Sequence, residues 1–353
     1  MRAIFFLEPG KLELRDIPVP TPGPGEVVIK IKAATTCGTD LKAYRRGHKL
    51  MPPPMQFGHE YAGIITAVGQ GVINFKEGDA VMGTNSAPCN QCHYCRRDRP
   101  QQCVNLDKRW NWGSYAEYFK IPAHIVAQNL HHKPAHVPFA EAAFIEPLAC
   151  AVLCAINANI KLGDTVAILG VGAQGLMQLQ LAKALGASRV LAIGRAKGRL
   201  ARAKLVGADA LFSTHDGDPV EWVRQQTGGY GADVTIEAAG SAETWQQAVM
   251  MTGKGGTVMQ FSGLPGGTQV SFDAAHLHYD EVTISATFHL TPRTAEMAAQ
   301  MLGSGQVNVK PMLDGEVPLE QTEEALLRMQ RSEAIKLAIN PELSHLVIES
   351  FSH

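Results

Sequence analysis

From Thr165 onward the chain repeats one unit: an apolar run, a glycine turn and a helical stretch. This alternation leaves few folds open, because strands joined through helices must pair in parallel, with helices covering the sheet. The pattern predicts strands over 165–169, 189–193, 209–213, 233–240, 256–263 and 282–288. Helices are predicted over 174–185, 219–227 and 242–251, with later helical patterns at 295–302 and 320–330. A last strand is read at "AIKLAI", 334–339. The first 150 residues have a different texture, with short alternating runs such as "EVVIKIKAA" and "YAGIITAVG" among many glycines and prolines. They read as a β-rich domain, and 353 residues are in any case too many for one compact core.

The first turn of the repeating region reads "LGVGAQG", with glycines at 170, 172 and 175. G-x-G-x-x-G carries weight only between a strand and a helix, which is its setting here. The glycines permit a tight turn and let backbone N–H groups approach a pyrophosphate at the helix N-terminus. Gly170, Gly172, Ala173, Gln174 and Gly175 are therefore candidate dinucleotide contacts. Sites that favour NAD carry an acid about 20 residues on, at the end of the second strand. Here that place reads "IGRAKGR", with Gly194 followed by Arg195, Lys197 and Arg199. A glycine with basic neighbours accepts a 2′-phosphate that an acid would repel, so NADP(H) is expected ahead of NAD(H). The alternative is a solvated basic turn, with NAD held by its remaining contacts.

Four of the seven cysteines, Cys89, Cys92, Cys95 and Cys103, fall in "PCNQCHYCRRDRPQQC". Their C-x2-C-x2-C-x7-C spacing suits thiolates converging on one tetrahedral zinc at about 2.3 Å. A closed sulfur shell leaves no position for substrate, so this site is expected to be structural. The N-terminus has neither the apolar run nor the cleavage site of a signal peptide, so a reducing, cytoplasmic setting is expected. Disulfides are disfavoured there. Cys150 and Cys154, four residues apart in an apolar helical run, read as core.

Three further segments carry groups that could meet at a second ion: "TTCGTD" (Cys37, with Thr39 and Asp40 just beyond), "FGHEYAG" (His59, Glu60) and "FIEPLAC" (Glu146). One thiolate, one imidazole and one or two carboxylates make a zinc shell with an open position. Taken singly, each has an ordinary account: a core thiol, a satisfied histidine, a helix-capping glutamate.

The ordered set "CGTD", "GHEYAG", the cysteine loop, "GSYAEY", "IEPLA" and the nucleotide turn resembles the zinc-dependent medium-chain dehydrogenases. The likeness runs along essentially the whole chain and is nearest the polyol (sorbitol) and threonine dehydrogenase branch. It implies a GroES-like catalytic domain, 1–150 with 290–353, and an inserted Rossmann domain, 151–289. It also implies two zinc ions per chain. Cys37 and His59 match catalytic ligands, and Glu60 a carboxylate that sits at the metal or exchanges with water. Glu146 stands where other alcohol dehydrogenases have cysteine and the polyol branch has glutamate. Thr39 matches the hydroxyl that takes the substrate proton, and Arg199 a contact to the adenosine ribose region. Cys89, Cys92, Cys95 and Cys103 match the structural ligands.

Lys42 departs from the pattern, since many relatives have a proton-relaying histidine there. Either the proton leaves through Thr39, the cofactor ribose or water, or Lys42 contacts substrate; Arg45 in the same basic run is a second candidate, and a solvated loop is the alternative. The expected activity is hydride transfer between a polyol, sugar derivative or other secondary alcohol and NADP(H) or NAD(H). Threonine-type amino-alcohol oxidation is the enzymatic alternative, and a catalytically silent nucleotide-binding scaffold the alternative from another class. A homotetramer is expected, or else a dimer. A net charge of −1 gives no reason to expect nucleic acid. The most apolar stretch, 139–160, is broken by Glu141, Glu146 and Pro147 and is no membrane span.

Overall fold

The computed structural model describes residues 1–343, so the last ten positions of the expected catalytic domain lie outside the described residues. The chain divides into two units. One holds Met1–Ala149, Leu290–Gly305 and the chain from Leu313 onward; the other holds Cys150–His289 and Gln306–Met312.

The first unit is β-rich. Its N-terminal strands are β1 (Arg2–Glu8), β2 (Lys11–Asp16), β3 (Val27–Thr35), β4 (Met55–Gln56), β5 (Tyr61–Val68), β6 (Ala80–Gly83), β7 (Tyr118–Ile121) and β8 (Leu130–His132). The second unit contributes β9 (Thr165–Leu169), β10 (Arg189–Gly194), β11 (Ala210–Ser213), β12 (Ala232–Glu237), β13 (Thr252–Gln260) and β14 (Thr283–Ala286). The chain then returns to the first unit with β15 (Leu313–Val317) and β16 (Lys336–Ile339).

In the first unit β2, β1 and β4 form a small sheet, and a seven-stranded sheet runs β15-β16-β3-β5-β6-β8, with β7 also paired to β3. Long-range pairing is what builds the site here. Antiparallel β16 sets Ala338 opposite Thr35, while β5 sets Tyr61 opposite Ala34. Three remote segments thereby end side by side. Phe6, Ile29, Ile31, Phe57, Tyr61, Tyr115 and Leu337 are fully buried in the core beneath them.

The second unit is a six-stranded, all-parallel sheet in the order β11-β10-β9-β12-β13-β14. Strand order reverses between β9 and β12, and such switch points are where nucleotides bind in open α/β sheets. β9 and β10 are buried along nearly their whole length, as strands covered on both faces must be. The expected α/β architecture is present. Several strands depart in extent. β12, β13 and β14 end at Glu237, Gln260 and Ala286, short of the predicted 240, 263 and 288, and β16 begins at Lys336 rather than 334. β13 begins at Thr252 rather than at 256, because "TGKGG" carries three glycines and hides its own pairing with β12.

Candidate active site

Cys37 is the N-cap of helix Gly38–Arg46 and its sulfur accepts the Thr39 backbone N–H at 3.4 Å. His59 and Glu60 lie immediately before β5. Gly58 ahead of them has φ +90°, and a Cβ there would fall 2.7 Å from Ser114 Oγ and the Tyr115 ring. Only glycine lets the chain turn into His59 at that spot. The thiol of Cys37, a ring nitrogen of His59 and a carboxylate oxygen of Glu60 lie within 4.8 Å of one another.

Each member is held by a second group. His59 Nδ1 is 3.0 Å from Asp40 Oδ1, and Tyr115 donates its hydroxyl to Asp40 Oδ2 at 2.5 Å. Trp112 stands edge-on to the imidazole, with ring centres 5.3 Å apart. Burial alone would lower the His59 pKa, but the charges of Asp40 and Cys37 outweigh it and raise it well above the usual range. Glu60 Oε2 accepts hydrogen bonds from Thr35 Oγ1 and from the ammonium of Lys336, which also donates to Thr36 O at 2.6 Å. Lys336 is only 3% exposed. Burial alone would lower its pKa, but Glu60, Cys37 and Glu146 together raise it, so it stays a cation.

The other oxygen, Glu60 Oε1, is buried with no hydrogen-bond partner among the described residues. A buried carboxylate oxygen left bare costs free energy unless a cation occupies the space beside it. A soft thiolate, an imidazole oriented through its other nitrogen and this bare oxygen form a donor set that fits zinc. Thr39 is half-buried on the first turn of the same helix, and its hydroxyl is in no hydrogen bond among the described residues.

Glu146 is not part of the group formed by Cys37, His59 and Glu60. It is buried in the first turn of helix Ile145–Asn157, near enough for its charge to act on Lys336. Lys42, Arg45, Arg46 and Lys49 are exposed and take part in no ion pair among the described residues. Asp40 stands in the same sequence segment as Cys37 and Thr39, but Tyr115 and Lys336 were not singled out from the sequence as site residues. For Lys336 a signal existed: a lone lysine inside the apolar strand "AIKLAI" needs a buried partner.

The sulfurs of Cys89, Cys92, Cys95 and Cys103 also lie within 4.8 Å of one another. All are free thiols. Asn90 and Asp98, at φ 58° and 55°, turn the chain back on itself between them. The Gln91 backbone N–H pulls the Cys89 pKa down to about 6, whereas burial pushes Cys95 up to about 12 and Cys103 in the same direction. Four crowded sulfurs of this kind become thiolates together only around a cation.

In the second unit, Gly170 has φ +112° and a Cβ there would meet the Ala238 backbone at 2.7 Å; one on Gly175 would meet Gly170 O at 1.8 Å. Gly172 caps helix Ala173–Ala184 without a side-chain hydrogen bond, leaving its first N–H groups open. Gly194 ends β10, where a Cβ would fall 2.3 Å from Val171. A side chain there would require Val171 to shift. Arg195 and Lys197 are exposed beyond it and Arg199 is half-buried.

Comparison with known proteins agrees with this geometry. Residues 23–132 match the alcohol dehydrogenase GroES-like domain, and residues 173–304 match the zinc-binding dehydrogenase domain. A sorbitol dehydrogenase of Halalkalibacterium halodurans is 32% identical, covering 94% of this chain and 96% of that one. An L-threonine 3-dehydrogenase of Bacillus velezensis is 33% identical, over 93% of this chain and 95% of its own. Among solved structures, one described as a zinc-binding dehydrogenase of Sinorhizobium meliloti, bound to NADP, superposes with a TM-score of 0.89. It is 30% identical and covers 96% of this chain and 99% of its own. With these matches along almost its entire length, the chain belongs to the zinc-type medium-chain alcohol dehydrogenase superfamily, near the polyol and threonine dehydrogenases, and is an NAD(P)-dependent oxidoreductase.

Proposed function

We propose that the chain oxidises a polyol, sugar derivative or other secondary alcohol, reversibly, with NADP(H) favoured over NAD(H). The observation that supports this most is the bare, buried Glu60 Oε1 beside Cys37 and His59. Those three residues would hold the catalytic zinc, with Glu146 exchanging with or joining Glu60, and the four loop cysteines would hold a structural one. When bound, zinc supplies Lewis acidity that lets a hydroxyl lose its proton near neutral pH, and the nicotinamide accepts hydride.

The remaining work falls to the protein. Thr39 Oγ1, in no hydrogen bond among the described residues, takes the substrate proton while passing its own onward to the cofactor ribose or water. Asp40 holds His59 by Nδ1, which leaves Nε2 as the nitrogen that would bind an ion. Lys336 and Thr35 fix one oxygen of Glu60 and leave the other for the metal or for exchange. Lys42 and Arg45, one helical turn and beyond from Thr39, are proposed substrate contacts. Their charge would suit a carboxylate, and the threonine dehydrogenase relatives at 32–33% identity keep amino-alcohol oxidation as the second reading. A silent scaffold is disfavoured because Cys37, Thr39, His59 and Glu60 are all present and three of them already converge.

NADP preference is supported by the basic residues at 195, 197 and 199, which follow a glycine where an acid would repel the phosphate, and by the NADP-bound neighbour. We further propose a cytoplasmic homotetramer, or else a dimer; no helix of the described residues is long and apolar enough to cross a membrane. The test is an initial-rate panel on zinc-replete protein, crossing NADP and NAD with neutral polyols, sugar phosphates, threonine and simple secondary alcohols. Preference for NADP with one alcohol class is expected. Replacing Arg195 by serine should then lower kcat/KM for NADP about tenfold and leave NAD unchanged, since a charged hydrogen bond contributes roughly 1.5–3 kcal/mol. Equal use of NAD by the unaltered enzyme would remove the phosphate reading, and no turnover of any substrate with both metals bound would favour the scaffold.

A further inference from the structure

Tyr115 is fully buried and lies 75 residues from Asp40 in sequence, yet its hydroxyl is 2.5 Å from Asp40 Oδ2. The same oxygen is 3.2 Å from Thr35 O. A phenol has a single proton to give. The shorter contact, to a charged acceptor, takes it. Burial and the neighbouring Asp40 charge raise the Tyr115 pKa well above its usual range, which keeps the hydroxyl a donor.

Asp40 is itself fully buried, and its other oxygen is the partner of His59 Nδ1. A carboxylate torsion is broad and two-fold, so one hydrogen bond alone does not fix its plane. Two bonds, one on each oxygen, do. The phenol is in turn fixed by packing: its ring meets Phe57 edge-on at 5.8 Å, and its backbone N–H bonds to Phe57 O at 3.0 Å. The same ring fills the space over Gly58, directly before His59.

We propose that Tyr115 is a positioning residue which, through Asp40, sets the ring plane and tautomer of His59 and so the retention of the metal. The proposal rests on the zinc dehydrogenase reading, and the experiment separates the two. Zinc release from loaded, full-length protein to a chromogenic chelator is followed for the wild type, Tyr115→Phe and Tyr44→Phe. Tyr44 supplies the matched control, since its hydroxyl also meets a carboxylate at 2.5 Å, that of Glu323, which belongs to no metal group.

Tyr115→Phe is expected to speed release of one of two ions by about tenfold or more, as loss of a ligand's outer partner does. The other ion and the Tyr44→Phe protein should release as in the wild type. In cobalt-substituted protein, the visible absorption bands should shift for Tyr115→Phe and stay put for Tyr44→Phe. In an Asp40→Asn background the Tyr115→Phe change should add nothing further, because Asp40 carries the effect. That pair also decides the matter if Tyr115→Phe alone does not accumulate as folded protein. Unchanged release in Tyr115→Phe, or an equal acceleration with Asp40 already replaced, overturns the positioning role. A wild-type chain that binds only one zinc overturns the underlying reading as well.

Discussion

The cysteine loop draws four like ligands from the single stretch Cys89–Cys103, while the Cys37 group draws unlike ligands from two separate segments and its supporting groups from as far along the chain as Lys336. In the loop, each sulfur has the same job, and a tetrahedral ion bound there would have no valence left for substrate. Around Cys37 the ligands are mixed, and among the described residues one carboxylate oxygen is bare and the hydroxyl of Thr39, on the adjoining helix turn, has no partner. The supporting groups differ as well. The loop leans on backbone N–H groups and tight turns, such as the Cys89 N–H to Cys103 Sγ contact at 3.4 Å. The Cys37 group leans on buried charge: Asp40 behind His59, and Lys336 behind Glu60. A staple can be made locally. A reactive metal site needs its electrostatics assembled from across the fold, so that a position can be left open without collapse.

The comparison is broken most severely if its two halves fail to separate on mutation. Cys37→Ser or His59→Ala is expected to lower kcat/KM by on the order of 10³-fold or more, since the Lewis acid contributes several kcal/mol. One zinc per chain should remain, with the circular dichroism of the folded protein; metal analysis and rates on the same sample check this. Cys95→Ser should do the opposite. Loss of a structural metal ranks among the large destabilisations, more than about 4 kcal/mol, which lowers Tm by roughly 10 °C in a domain of this size. Molecules still folded should keep most of their activity per catalytic zinc. Thermal unfolding and active-site titration would expose the error if activity vanished first.

Lys336→Met sharpens the contrast more quietly. Removing one partner of a buried ion pair leaves Glu60 uncompensated and costs about 3–5 kcal/mol in the metal-free chain. Zinc at the Cys37 group would replace part of the missing positive charge. The variant should therefore lose more stability as apoprotein than when loaded, and the loop cysteines should be indifferent to it. Equal losses in both states would show that Lys336 serves packing rather than the charge balance of the metal group.

These differences also explain what could be read from the chain. The cysteine loop and the glycine turn were legible because their geometry is local: spacing along the chain is already spacing in space. Cys37, His59 and Glu60 were legible only as a set, through an ordered resemblance, since each alone has an ordinary account. Lys336 escaped because its partner is 276 residues away and the pairing depends on the register of β16 against β3. Tyr115 escaped for the same reason. Gly194 was read as room for a phosphate, and the structure adds a second cause, the Val171 side chain that occupies the place of any Cβ. Glu146, read as a ligand beside Glu60, stands outside the converged group, which leaves its part in the metal shell to be measured by Glu146→Gln against Glu60→Gln.

The most direct test of the central claim is zinc per chain followed together with activity and fold during graded chelation. Two ions should be present at the start. The first to leave should take the activity with it while the fold persists, and the second should leave only as the protein unfolds. A single ion per chain, or activity that outlasts the first loss and ends only with unfolding, would contradict the assignment of the Cys37 group as the reactive centre.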